Sequence, residues 1–174
     1  MAALSFIGSI FYLRGNRGRQ RKYFMRNDEY FMRAALNEAE KALEEGEVPI
    51  GCVVACGGKI IARAHNRTIR DSDPTAHAEI LAMRKAAKKN KNYRLNGCDI
   101  YVTIEPCAMC AGAMVWARIG KLFFGAHDTK AGACGSIFNI VRNKNLNHRV
   151  EVKSGLLAAD CAGLIKNFFK HKRG

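Results

Sequence analysis

The 174-residue chain is short of acid: 15 aspartates and glutamates stand against 29 lysines and arginines, and none precedes Asp28. It also lacks any apolar run of the roughly 18 residues that a spanning helix needs, so no segment reads as a bilayer span. No cysteine framework exists either. The seven cysteines are an odd number, and Cys52, Cys56, Cys98, Cys134 and Cys161 follow no regular interval. That excludes a secreted disulfide scaffold and predicts free thiols in a reducing, cytoplasmic setting. A secretory signal is excluded by order, because Arg14, Arg17, Arg19, Arg21, Lys22 and Arg26 follow the mildly apolar residues 1–13, whereas a signal carries its positive charge first.

What the chain has in excess is positive charge. A net charge of +14 draws polyanions by long-range attraction and counterion release, so a nucleic acid is the leading partner. The competing reading is a lysine-rich surface that serves solubility alone. Residues 1–26 form a basic N-terminal extension, separate from a domain over 27–174. Met25 stands directly before the first helical pattern, so an over-extended start is the simplest account of the extension; a processed organellar leader and a basic RNA-binding arm are the alternatives. Residues 27–174 still hold 23 basic and 15 acidic residues, a balance of +8, and the polyanion argument survives without the extension. A chain of this length fits one domain with a full core.

Periodicity places the elements. Tyr30, Phe31, Ala34, Ala35, Ala39, Ala42 and Leu43 recur at helical spacing from Asp28 to Glu45, with Asn27 or Asp28 as N-cap and Gly46 as terminator. Residues 50–56 and 59–65 read as a hairpin about Gly57-Gly58, the first strand buried on both faces. Pro74 opens a helix near Ala76. A strand over 99–104, a helix from Pro106 to about Ala117 and a strand over 121–126 make a βαβ unit with parallel strands. A glycine-rich loop over 125–135, a short helix near 137–141, a strand near 149–153 and a helix over 156–170 complete the chain. The class is α/β, three layers with a mixed sheet of about five strands.

Chemistry concentrates in two segments, Asp73-Pro74-Thr75-Ala76-His77-Ala78-Glu79 and Glu105-Pro106-Cys107-Ala108-Met109-Cys110. One imidazole and two thiolates are three ligands for zinc, with a fourth tetrahedral position left for water as in catalytic sites. Cys107 and Cys110, three apart at a helix start, are neighbours, and the positive end of the helix favours their thiolates. His77 falls in the first turn of its own helix. Glu79, two residues on, does not share its face and is the acid/base for the water; as a fourth ligand it would instead close the site. A lone C-x-x-C also fits a redox dithiol, but such motifs usually lack an upstream His-x-Glu.

H-x-E with P-C-x-x-C is the signature of zinc deaminases. The segments Gly46 to Gly51, His65-Asn66-Arg67, Tyr101 to Gly112, Phe124-Gly125-Ala126, Asn147 to Val150 and Phe168-Phe169-Lys170 extend the likeness over residues 28–173. With them the chain resembles the bacterial-type tRNA adenosine deaminases of the cytidine-deaminase-like superfamily.

The resemblance implies that superfamily's mixed five-stranded fold, one zinc per chain, a tRNA anticodon stem-loop as substrate, and a homodimer. It implies hydrolytic conversion of the wobble adenosine to inosine, with attack at C6 and Glu79 moving protons to N1 and the departing ammonia. The Ala78 N–H then supports the base or its oxygen, Asn66 contacts the flipped base, and Asp128 meets a neighbouring sugar. In purely structural terms Asn66 would stabilise a turn and Asp128 would cap a loop. Phe168 and Phe169 are stacking candidates, one of them claimed by the core, with Lys166, Lys170, His171, Lys172 and Arg173 near phosphates. His127 occupies a variable position of RNA contact, and Cys134 reads as a packed small residue. Met109, Met114 and Trp116 offer an apolar surface for a dimer. The competing functions are a deaminase of free nucleobases or nucleosides and a zinc-stapled RNA-binding module without chemistry.

Overall fold

The computed structural model describes the fold of residues 17–172, and their side chains from residue 28 onward. The expectations about residues 1–16, and about Arg173 as a phosphate contact, lie outside the described residues.

Helix α1 spans Arg17–Glu44, so it begins well before the expected start at Asp28. Asp28 is no N-cap; its carboxylate accepts the Tyr101 hydroxyl at 2.7 Å, and the Arg, Lys and Gln residues upstream favour helix. The helix ends where expected. Gly46 takes φ +76°, its N–H donates to Leu43 O and the Glu47 N–H to Ala42 O, the paired bonds of a Schellman stop.

Strands β1 (Gly51–Cys56) and β2 (Lys59–His65) form the expected antiparallel hairpin. Gly57 and Gly58 both hold positive φ, the backbone of a tight turn that matches strand twist. Every β1 residue before Cys56 is buried, with Val53 and Ala55 facing α1 and Cys52 and Val54 facing the opposite core. The remaining elements are α2 (Ala78–Asn90), β3 (Cys98–Ile104), α3 (Ala108–Trp116), β4 (Lys121–Ala126), β5 (Glu151–Ser154) and α4 (Ala158–Lys172). The sheet order is β2-β1-β3-β4-β5, with β1 antiparallel to β3 and β3, β4 and β5 mutually parallel. Helices α1 and α4 cover one face and α2 and α3 the other, which gives the three layers and five strands expected.

Four further starts move. Helix α2 starts at Ala78 rather than near Ala76, because Asp73 Oδ1 accepts both the N–H and the hydroxyl of Thr75 and folds the segment after Pro74 into a turn. Helix α3 likewise starts at Ala108, with Cys107 as its N-cap. The last strand and last helix each begin two residues later than expected, and Gly155 and Leu157, both at positive φ, break the chain between them.

No helix forms at residues 137–141. The Ile137 and Phe138 N–H groups both reach Gly132 O, the Ile140 N–H reaches Ala133 O, and Cys134 bridges Asn139 antiparallel. The loop therefore pairs with itself. All seven cysteines are free thiols, as expected.

Candidate metal centre

The metal-end geometry starts from two helix N-termini. His77 is the N-cap of α2 in extended backbone (φ −71°, ψ 147°), and Cys107 is the N-cap of α3 (φ −71°, ψ 175°). Neither lies within its helix, contrary to expectation. Because His77 is outside α2, its spacing to Glu79 no longer forces the two onto different faces. Cys110 sits in the first turn of α3, fully buried.

The three ligand atoms lie within 4.8 Å of one another. His77 Nδ1 is 3.7 Å from Cys107 Sγ and 3.6 Å from Cys110 Sγ. Zn–S bonds of about 2.3 Å and Zn–N bonds of about 2.0–2.1 Å, at a tetrahedral angle, put N and S about 3.5 Å apart, so the donor set fits that metal. Hydrogen bonding from Cys110, then from His77, holds the Cys107 thiol well below its ordinary range. The Cys107 sulfur in turn raises His77. Metal binding needs the thiols as thiolates and the imidazole neutral, so it would release the protons these groups hold.

Glu79 stands outside this ligand set. It is 3% exposed, burial raises its carboxyl pKa, and Oε2 has no hydrogen-bond partner. An unpaired buried carboxylate oxygen costs stability, so its retention points to a group that it serves at the site.

Asn66 follows β2 and is buried. Its Oδ1 accepts the Ala78 N–H at 2.9 Å, and its own N–H donates to Ile50 O at 3.1 Å. The Ala78 N–H, expected to support the base or its oxygen, is engaged here by Asn66. The Asn66 Nδ2 donors have no protein partner among the described residues. Asp128 Oδ1 accepts the Lys130 and Ala131 N–H groups, so its side chain does cap the loop. Asp128, His127, Lys166 and Phe169 line an open cleft of about 570 Å³ with Ile50 and Ile104. Phe168 is buried and meets Phe169 edge-on at 5.3 Å, while Lys170 is exposed on α4 outside that wall. Cys134 is buried, as expected of a packed small residue. Met114, expected at a surface, is fully buried in the core between α2, α3 and the sheet.

Two carboxylates escaped the sequence reading. Glu47 is fully buried and accepts the Ile69 and Arg70 N–H groups and the Thr68 hydroxyl, which fixes the turn after Asn66. Glu105, two residues before Cys107, accepts the Cys134 and Ser136 N–H groups at 3.0 Å each, the Asp128 N–H, the Ser136 hydroxyl and the His127 ring. Burial alone would raise its pKa, but the Ser136 hydroxyl and these N–H donors bring it below the ordinary value. The available signal was an acid at the end of an apolar strand in an acid-poor chain.

Residues 26–173 match the MafB19-like deaminase family. The tRNA-specific adenosine deaminase of Bacillus subtilis (strain 168) is 46% identical over 149 residues, 86% of this chain and 92% of that protein. The chain belongs to the tRNA-specific adenosine deaminase family. A solved tRNA:A34 deaminase, studied for A-to-I editing at the wobble position, superposes with a TM-score of 0.76 at 45% identity over 78% of this chain and 98% of that one. A solved guanine deaminase from Bacillus subtilis is 40% identical, with a TM-score of 0.56, over 62% of this chain and 69% of that one.

In this deaminase Glu105 ties the cleft-lining loop to the strand end that leads into Cys107. Glu105→Gln turns one acceptor oxygen into a donor amide that faces N–H groups, at about 1–3 kcal/mol for each buried group left unpaired. The expected result is a lower melting temperature with faster hydrogen exchange at Cys134 and Ser136.

Proposed function

We propose that the chain is a zinc enzyme that hydrolyses adenosine to inosine and ammonia at the wobble position of a tRNA anticodon loop. The observation that carries this reading is the convergence of His77, Cys107 and Cys110 beside the unpartnered Oε2 of Glu79. When bound, zinc supplies the Lewis acidity that makes water nucleophilic near neutral pH. Glu79 would then accept the water's proton and deliver it to N1, and afterwards take the proton of the new C6 hydroxyl and pass it to the C6 amino group, which leaves as ammonia. Asn66, held by the Ala78 N–H, keeps its Nδ2 donors for an acceptor on the flipped base. Phe169 offers a face for a neighbouring base, Asp128 keeps Oδ2 for a ribose hydroxyl, and Lys170 meets phosphate.

A free nucleobase has no use for the open cleft that Asp128, Lys166 and Phe169 border. A binding module without chemistry would have no use for an unpaired buried carboxylate. The test is inosine formation by the zinc-loaded protein in an anticodon stem-loop with a wobble adenosine, beside ammonia release from free guanine, cytidine and adenosine. Turnover of a free base alone would reassign the substrate, and tight RNA binding without product would favour the module.

The proposal includes a homodimer in a reducing, cytoplasmic compartment, to which seven free thiols are suited. Trp116 is 76% exposed and Tyr93 64%, and with Ile80, Met83 and Ala113 they border a nearly all-apolar groove between α2 and α3. Large exposed aromatics over an apolar groove favour burial by a second copy. Trp116→Glu is expected to shift the mass in solution from dimer to monomer, measured by light scattering. A monomeric wild type would overturn this.

A further inference from the structure

The metal ligands gather where β3 ends at Ile104, but another cleft, of about 700 Å³, opens at the opposite end of the sheet. Arg142, Lys144, His148 and Arg149 line it, and Glu151 is the carboxylate in its wall. Lys121 and Glu151 pair at the starts of β4 and β5, which fixes the location. At about 3.3 Å per residue, the length of β4 separates the two ends by roughly 20 Å.

This cleft is held rigidly. Arg118 Nη1 donates to Asn147 O at 2.8 Å, His148 Nε2 to Ile119 O at 2.7 Å, and Arg142 Nη2 to Val152 O at 2.9 Å. The Val150 N–H donates to Val141 O, and both valines are buried. Arg118 and Arg142 thus have their charges fixed on carbonyls instead of cancelled by carboxylates. Lys144 and Arg149 are exposed and form no ion pair among the described residues. Strand β5 is the sheet edge, and Lys153 stands on it between this cleft and the metal end, its Nζ held 5.1 Å above the Phe123 ring.

Cations that form no ion pair among the described residues suit phosphate groups, and two basic regions about 20 Å apart along an exposed edge suit a polyanion longer than a loop. We propose that the Arg142, Lys144 and Arg149 cleft is a second tRNA-binding site, which takes the phosphate backbone outside the anticodon loop while that loop occupies the metal end. The identity of the RNA rests on the function proposed above; the phosphate chemistry does not.

The test uses the zinc-loaded protein with Lys144→Glu and Arg149→Glu combined, a full-length tRNA with a wobble adenosine, and a minimal anticodon hairpin of the same loop. For the tRNA, KM is expected to rise about tenfold and the slope of log affinity against log salt to fall by about 2, since each phosphate contact contributes roughly 0.7–0.9. The kcat for tRNA, both constants for the hairpin and the melting temperature should stay at wild-type values. Equal weakening of tRNA and hairpin, or no weakening of tRNA, would overturn the proposal. Absence of inosine with the wild type would instead sink the functional reading; the cleft would then be judged by fluorescence anisotropy, on the same difference in binding between the two RNAs.

Discussion

Glu79→Gln is expected to lower deamination of an anticodon stem-loop by about 10²–10⁴-fold, the usual contribution of a positioned acid/base, with bound zinc unchanged. Gln keeps the shape and one acceptor oxygen of Glu, so the first turn of α2 and the packing of Ala78 and Ala82 should persist. What it loses is the capacity to carry a proton. The native Oε2 has no protein partner, so an amide nitrogen in its place displaces no hydrogen bond there, while the amide oxygen keeps the acceptor role of Oε1. His77, Cys107 and Cys110 form the ligand group without Glu79, and the metal content by atomic absorption should therefore stay at one per chain. A variant that loses its metal along with its activity would make Glu79 a ligand and overturn the assignment. Because the carboxylate acts in both proton transfers, kcat should fall while KM for the RNA stays near the wild-type value.

The four residues at this centre were legible because each belongs to a short local motif. Their backbone was not. Proline before His77 and Cys107 suggested helices that begin at once, since proline favours the first helical position. Instead Asp73 folds the first segment into a turn, and the Pro106 carbonyl accepts the Ala133 N–H at 2.8 Å, which holds that stretch against the distant loop. The hairpin was legible for the opposite reason: Gly57-Gly58 decides its turn without distant help. Residues 127–150 misled because their hydrogen bonds run between loop positions, a pattern without period. Glu47 and Glu105 went unread because their partners lie 21 to 31 residues away in the chain. Asn66 and Ala78 were both named, but only the folded chain joins them, and that bond changes which atoms remain for a substrate.

Gly51→Ala is expected to destabilise the protein by about 3 kcal/mol or more, the upper part of the range for forcing an added methyl into a packed site. A Cβ here would lie 2.0 Å from Ala35 O, 2.4 Å from Ala39 N and 2.9 Å from Glu38 C, all backbone atoms of α1 that no side-chain rotation can move. The strand cannot retreat, because the Gly51 N–H is held from β3 by the Thr103 hydroxyl at 3.2 Å. Helix α1 must therefore lift, which parts Phe31, Met32 and Ala35 from Val53, Ala55 and Tyr101. At about 2–4 °C per kcal/mol for a chain of this size, the melting temperature should fall by roughly 6–12 °C. Activity should suffer as well, since neighbouring Ile50 O accepts the Asn66 N–H and a shifted β1 carries Asn66 and Ala78 with it. Gly163→Ala in α4 is the control. There an added Cβ meets nothing within 4 Å, and relief of glycine's helix penalty should stabilise the protein by about 0.5–1 kcal/mol. Opposite signs for the same chemical change would show that close approach of α1 to β1, rather than loss of glycine as such, sets the effect. A Gly51→Ala protein as stable as the wild type would refute that packing.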